Sequence, residues 1–224
     1  MPYTPVAYSQ VADAFLRDEV FRRADWFLHD VYCMFTLPAG SDDTAGGNWT
    51  IALALLCVID GISCHVYPTN SVVCKQEQRF KCLIRHKLHW GPTTKGWYQK
   101  GNAAKVLYTE LRNPLVHELA IDKPAPARPS TYHETAVGKW GSVQTQDQDI
   151  KKIDALSAWN DDWPTLSVEN HNGGKRLNLS CAALYWAVKN MVNTLAADPA
   201  VLNAAVASRA AQPTAPSPSL GAAP

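Results

Sequence analysis

The chain has 224 residues, of which 46% are hydrophobic and 18% charged, and its formal net charge is +1. That length supports one sizeable core or two small ones, in a composition ordinary for a globular protein. So small a net charge excludes wholesale coating of nucleic acid or an acidic membrane, and any polyanion site must be local.

Pro2, Pro5 and Asp13 interrupt any basic-then-apolar leader at the start, so a cytoplasmic protein is expected. Ser9 is the expected N-cap of a long first helix ending near Leu37, where Pro38 and Gly40 stop it. Val11, Phe15, Val20, Phe21, Phe27, Val31, Met34 and Phe35 recur at helical spacing and mark its core face. A Gly-, Ser- and Asp-rich loop, Ala39 to Gly47, follows. Asn48 can cap a second helix running to about Tyr67, before Pro68. This helix is apolar nearly all round from Ile51 to Ile59, so it should be the central one. Its apolar run from Trp49 to Ile59 is far short of the ~20 residues that a membrane span needs. Asp60 interrupts the run. Because an unpaired buried charge is costly, Asp60 is expected to find a neighbouring arginine.

The third helix, about Ser71 to His89, places Val72, Val73, Phe80, Leu83, Ile84 and Leu88 inward. Its other side carries Lys75, Arg79, Lys81, Arg85 and Lys87. Continued through Lys95, Lys100 and Lys105, the stretch holds eight cations against the single Glu77, a local charge of +7 in a protein of +1. That asymmetry has the sign expected for tracking a phosphate backbone. Cys82, His86 and His89 share one face of this helix, with Cys74 two turns upstream. The set lacks the paired short spacings of a structural zinc site, and the two histidines fit better as polar contacts to a phosphate ligand.

A fourth helix, Gly101 to about Leu111, packs through Ala104, Leu107 and Leu111 and delivers Arg112 at its end. Pro114 has no N–H and pushes Asn113 away from the α region. The local expectation is a break: Asn113 as N-cap and Pro114 as first residue of a restarted helix anchored by Leu115 and Leu119. Arg112 and His117 then stand at the N′ and N4 positions, whose side chains meet. The amides of Leu115 and Val116 add donors at the positive end of the helix dipole. A guanidinium, an imidazole and amide donors around one small volume describe a phosphate site.

The tract Asp122 to Ser130, with Pro124, Pro126 and Pro129, reads as a crossing loop. Residues 131–171 carry no clear pattern beyond a short helix around Asp149 to Trp159. Leu166-Ser167-Val168 and Leu177-Asn178-Leu179 flank Asn172-Gly173-Gly174, a tight-hairpin signal. A helix from about Ser180 to Leu195 carries Leu184, Tyr185, Val188, Met191, Val192 and Leu195 at core spacing. A weak short helix follows Pro199, and the Pro-, Ala- and Ser-rich tail after Ala211 should be disordered. The six cysteines (33, 57, 64, 74, 82 and 181) form no C-x-x-C pair, and buried reduced thiols are expected. The fold expected is therefore mainly all-α. It is a bundle of four to six helices with a small β-hairpin inserted before the last long helix, in a single domain over 1–210 (insertion about 122–179) with a 211–224 tail.

The string Arg112-Asn113-Pro114-Leu115-Val116-His117, preceded by Leu107, Tyr108 and Leu111, resembles the R-x4-6-H signature of the HEPN superfamily, in which the residue after the arginine is typically polar, as Asn113 is. The motif covers six residues, and the helical layout extends the likeness coarsely over 9–196. These are small helical domains, many of them metal-independent ribonucleases of toxin–antitoxin and antiviral systems. The resemblance implies a homodimer with two motifs across a shared cleft, RNA as substrate, no cofactor and no metal, and a possible antitoxin or defence-system partner. Arg112 would stabilise the phosphate charge, His117 would transfer protons, and Asn113 would orient the site. Lys75, Arg79, Arg85, His86 and His89 would contact the RNA. Some family members carry a Tyr two residues after the His, a target of modification by a partner enzyme; here Leu119 stands there. A catalytically inert helical module that binds RNA, a nucleotide or a partner protein is the alternative, as is a structural subunit of a larger assembly.

Overall fold

The computed structural model describes residues 3–36, 48–66, 75–88, 100–113, 134–138, 166–171 and 174–211. Among these residues six helices and three strands follow one another: α1 (Arg22–Thr36), α2 (Asn48–His65), α3 (Gln76–Lys87), α4 (Lys100–Val106), β1 (Glu134–Gly138), β2 (Leu166–His171), β3 (Gly174–Ser180), α5 (Cys181–Ala196) and α6 (Pro199–Ala210). Two π-helical turns are fused to this set, Leu16–Phe21 running into α1 and Leu107–Arg112 continuing α4. The fold is mainly helical.

The first helix opens at Ala14, not at Ser9. The cap is Asp13, whose Oδ1 accepts the N–H of Leu16 at 2.8 Å. Arg209 grips the same carboxylate at 2.7 and 3.0 Å, tying this helix start to α6. The Arg209 bond first, then the Leu16 amide, hold the Asp13 carboxyl below its ordinary value. The π turn over Leu16–Phe21 also shifts the helical phase, since it takes in an extra residue. Beyond it Phe21, Ala24, Leu28, Val31 and Phe35 face the core, while Phe27, expected inside, is 52% exposed beside Trp26 at 57%.

The helix most enclosed by its neighbours is α5 rather than α2. Twelve of its sixteen residues are buried, including Tyr185 and Lys189. In α2 the buried positions are Ile51, Ala52, Leu55, Leu56, Val58, Ile59, Ile62 and Ser63, whereas Cys57, Gly61, Cys64 and His65 face solvent. The apolar run of α2 is thus interrupted on one side by small residues, which leaves a solvent face. That corrects the expectation for the thiols as well. Cys33, Cys57 and Cys64 are exposed and Cys82 is half-buried, so among the described cysteines only Cys181 is buried; the five form no disulfide with one another.

Helix α3 starts at Gln76 instead of Ser71, because Lys75 is extended (φ −57°, ψ 150°). Its buried residues Phe80, Leu83 and Ile84 are those the spacing marked, and Leu88 ends it in an extended conformation. Strand β3 is the centre of a three-stranded sheet, ordered β1-β3-β2. β2 runs antiparallel to it, with Leu166 opposite Leu179, and both leucines are buried in the helical core. β1 pairs parallel to β3, a strand that no sequence pattern announced. α6 is well capped: Asp198 accepts from the amides of Ala200 and Val201 at 3.1 and 3.2 Å and binds Lys87 at 3.1 Å. Among the described residues no helix is long and apolar enough to cross a membrane. The expected crossing loop at 122–130, the helix around 149–159 and the tail from 212 lie outside the described residues.

Candidate functional site

Arg112 ends the π turn Leu107–Arg112, and the structure corrects how it gets there. Asn113 keeps helical dihedrals (φ −65°, ψ −50°), and its N–H bonds to Tyr108 O, five residues back. The chain therefore widens its helix before Pro114 instead of breaking at Asn113. The side-chain oxygen of Asn113 accepts from Arg112 Nη1 at 3.1 Å. A π turn at the end of a helix re-aims the side chains it carries.

The guanidinium it aims goes inward. Arg112 is 8% exposed, and its Nη2 donates to Asp60 Oδ2 at 2.8 Å. The expectation that Asp60 pairs with a neighbouring arginine is met, and the arginine is the one the motif singled out. The guanidinium lies over the ring of Tyr108, 5.4 Å from Cζ to the centroid. Burial pushes the Tyr108 phenol up; Arg112 opposes this, and Glu77 and Asp60 add to it, so the phenol stays protonated at neutral pH.

Helix α3 meets this cluster with its first turn. Gln76 Nε2 donates to the same Asp60 Oδ2 at 2.6 Å, and Asp60 Oδ1 is buried with no partner among the described residues. Lys81, paired with Glu77, sits over the other occupant of the cluster, the Tyr108 ring, at 5.7 Å. Asp60 from α2, Gln76 and Lys81 from α3, and Tyr108, Arg112 and Asn113 from the π turn thus form one contiguous polar group. Fixed from three directions, the guanidinium has two of its five donors bound to described side chains.

Of the other expected site residues, Lys75 is exposed directly before Gln76, Arg85 and His86 are exposed further along α3, and Arg79 is half-buried with Nη2 on Cys64 Sγ at 3.8 Å. Lys75, Arg79 and His86 share one side of the helix by spacing. His117 and His89 lie outside the described residues. Gln76 and Tyr108 were missed by the sequence reading; their signal was only the one-turn offsets of Gln76 from Phe80 and Tyr108 from Arg112, which carry no chemistry by themselves. Lys81 was seen as a cation but not as a neighbour of Arg112. Among the described residues no three His, Cys, Asp or Glu side chains converge into a metal-ligand group.

Comparison with protein-family models, with curated proteins and with solved structures gives no match.

Proposed function

We propose that the protein is a metal-independent endoribonuclease of HEPN type, acting in the cytoplasm as a homodimer in a toxin or antiviral-defence role. What supports the reading is one juxtaposition. The arginine of the R-x4-H motif is held at 2.8 Å by Asp60, which also takes Gln76 from the first turn of the cationic helix α3. The permanently charged fork is therefore linked, through one carboxylate and the neutral Gln76, to the helix that carries Arg79 and Arg85, and cations so grouped suit an RNA phosphodiester.

In the proposed reaction His117 takes the proton of a ribose 2′-hydroxyl. The 2′-oxygen attacks the adjacent phosphorus, the bond to the 5′-oxygen breaks, and that oxygen receives a proton from His117 of the partner subunit. The products are a 2′,3′-cyclic phosphate and a 5′-hydroxyl. Arg112 stabilises the charge gathering on the phosphate oxygens. Two-fold symmetry supplies the second imidazole, and C2 is the commonest symmetry of homo-oligomers. Control by an antitoxin or defence-system partner belongs to the same proposal. No cofactor takes part.

A second reading is favoured by a specific observation. Arg112 has its side chain only 10% exposed and its charge offset by Asp60, as suits a HEPN-like module that binds RNA or a partner without cutting. RNA cleavage with end-group analysis separates the two. The nuclease gives 2′,3′-cyclic ends, retains activity in EDTA, and loses about 100- to 10,000-fold of its rate in His117→Ala. Intact RNA with measurable binding identifies the module. Wild-type cutting by His117→Ala, or loss of cutting with chelator, removes the mechanism.

A further inference from the structure

We propose that Asp60 is the positioning residue of this site, holding the Arg112 fork square to an RNA phosphate, and that Gln76 in turn steers Asp60. This rests on the ribonuclease reading above. A buried guanidinium requires a carboxylate, which Asp60 supplies at 2.8 Å, and further hydrogen bonds for the donors and lone pairs that remain. The cluster has more. Oδ2 of Asp60 receives a second, neutral donor from Gln76 at 2.6 Å, although Gln76 is itself a solvent-exposed residue with water available. Asn113 adds a contact to Nη1 at 3.1 Å, and Arg112 Cζ lies over the Tyr108 ring, 5.4 Å from its centroid. Three elements, α2, α3 and the π turn, thereby fix the orientation of one side chain and not merely its charge.

The arrangement also says what Asp60 does not do. Its Oδ1, without a partner among the described residues, is buried, so the carboxylate is not placed to take a proton from a ribose hydroxyl. It acts through Arg112. Arg112 stabilises charge that develops only during the reaction, while Lys75, Arg79 and Arg85 act on the RNA before and after. A fault in Asp60 should therefore appear in turnover rather than in binding.

The test uses the full chain and a 5′-fluorescein-labelled single-stranded oligoribonucleotide of mixed sequence, with kcat and KM measured beside the unfolding midpoint of each variant. Asp60→Ala should lower kcat by about 100-fold or more, the scale of losing one preorganised donor, and leave KM within about threefold. Asp60→Asn keeps an oxygen for Arg112 Nη2 and should recover about tenfold of that loss. Gln76→Leu changes an exposed residue and should fold normally, with kcat reduced about three- to tenfold at unchanged KM. If Asp60→Ala does not fold, the Asn and Gln76 variants decide. Turnover that follows only the folded fraction, or losses confined to KM, overturns the positioning role and leaves the ribonuclease reading standing. A wild-type protein that leaves the oligoribonucleotide intact overturns both.

Discussion

Two cations are buried among the described residues, and they are accommodated in opposite ways. Arg112, 8% exposed, has a carboxylate at 2.8 Å, an amide oxygen at 3.1 Å and an aromatic face beneath it. Lys189, 5% exposed in the middle of α5, has no carboxylate within ion-pair distance among the described residues. Its amine sits among rings instead, 4.4 Å from the centroid of Tyr3, 5.2 Å from Trp186 and 5.8 Å from Tyr185. The nearby carboxylate, Asp25, is already engaged by the Tyr3 hydroxyl at 2.6 Å and the Val6 amide at 2.7 Å. Burial pulls the Lys189 pKa below its ordinary value, and Asp25 only partly opposes this. A compact ammonium can be solvated by ring faces with nothing left over for a ligand. A guanidinium fork, once anchored at two nitrogens, still carries donors. Burial of a cation is therefore no sign of function; the geometry of its partners is.

The sharpest break of that contrast is a pair of substitutions to methionine. Arg112→Met strands Asp60 as an uncompensated, nearly buried charge and should cost about 3–5 kcal/mol of stability. Lys189→Met exchanges cation–π attraction for relief from desolvation and should stay within about 1 kcal/mol of wild type. In Asp60→Leu/Arg112→Met most of the first loss should return, because neither charge is then left alone. Urea unfolding of the three proteins measures this. Equal midpoints for Arg112→Met and wild type would mean that Asp60 is solvated by something other than the arginine.

Much of this was legible in the chain, and unequally so. Phe80, Leu83 and Ile84, or Leu184, Tyr185 and Val188, could be placed inside because a regular helix repeats its buried face every three or four residues. Phe27 could not: beyond the π turn at Leu16–Phe21 the core line runs through Ala24, Leu28, Val31 and Phe35, and Leu28 takes its place. The same physics hid the detail of the site. Pro114 announced a disturbance at 112–114, but propensity alone favours a break, and the chain instead widened the preceding turn. The arginine that the widened turn carries pairs with Asp60, 52 residues away in sequence. Lone residues such as Gln76 and Tyr108 have no period to read, and β1 joins β3 through a register that depends on distant chain.

The next test bears on the aromatic side of the comparison. Tyr3→Phe removes a short hydrogen bond to a buried carboxylate and leaves Asp25 with the Val6 amide, a loss of about 1.5–3 kcal/mol for a bond to a charged group. The same substitution should change the alkaline limb of stability. Burial first, and then the bond and charge of Asp25, raise the Tyr3 phenol well above 10.0. For an acid whose folded value is raised, the unfolded chain releases its proton first. Stability is thus fully present below pH 10 and falls as pH rises above it. Thermal melts between neutral pH and pH 11 should show Tyr3→Phe less stable at the neutral end but with a shallower alkaline fall. Parallel curves would mean that Tyr3 is hydrated and the ring cage around Lys189 open.

The smallest expected effect lies next to the candidate site. Gly61 follows Asp60 in the middle of α2, faces solvent, and has open space where a Cβ would stand, with nothing within 4 Å. Its backbone is helical and places no demand on a glycine. An interior glycine disfavours a helix by about 0.5–1 kcal/mol relative to alanine, so Gly61→Ala should raise stability by about that amount. The methyl would project from the exposed crest of α2, while Asp60, one position earlier, turns toward Arg112 and Gln76. The gain should therefore appear in the melting temperature with kcat unchanged. If Gly61→Ala is instead less stable than wild type, the crest of α2 is covered in the folded protein, and access to Arg112 would have to come from the α3 side, past Lys75 and Gln76.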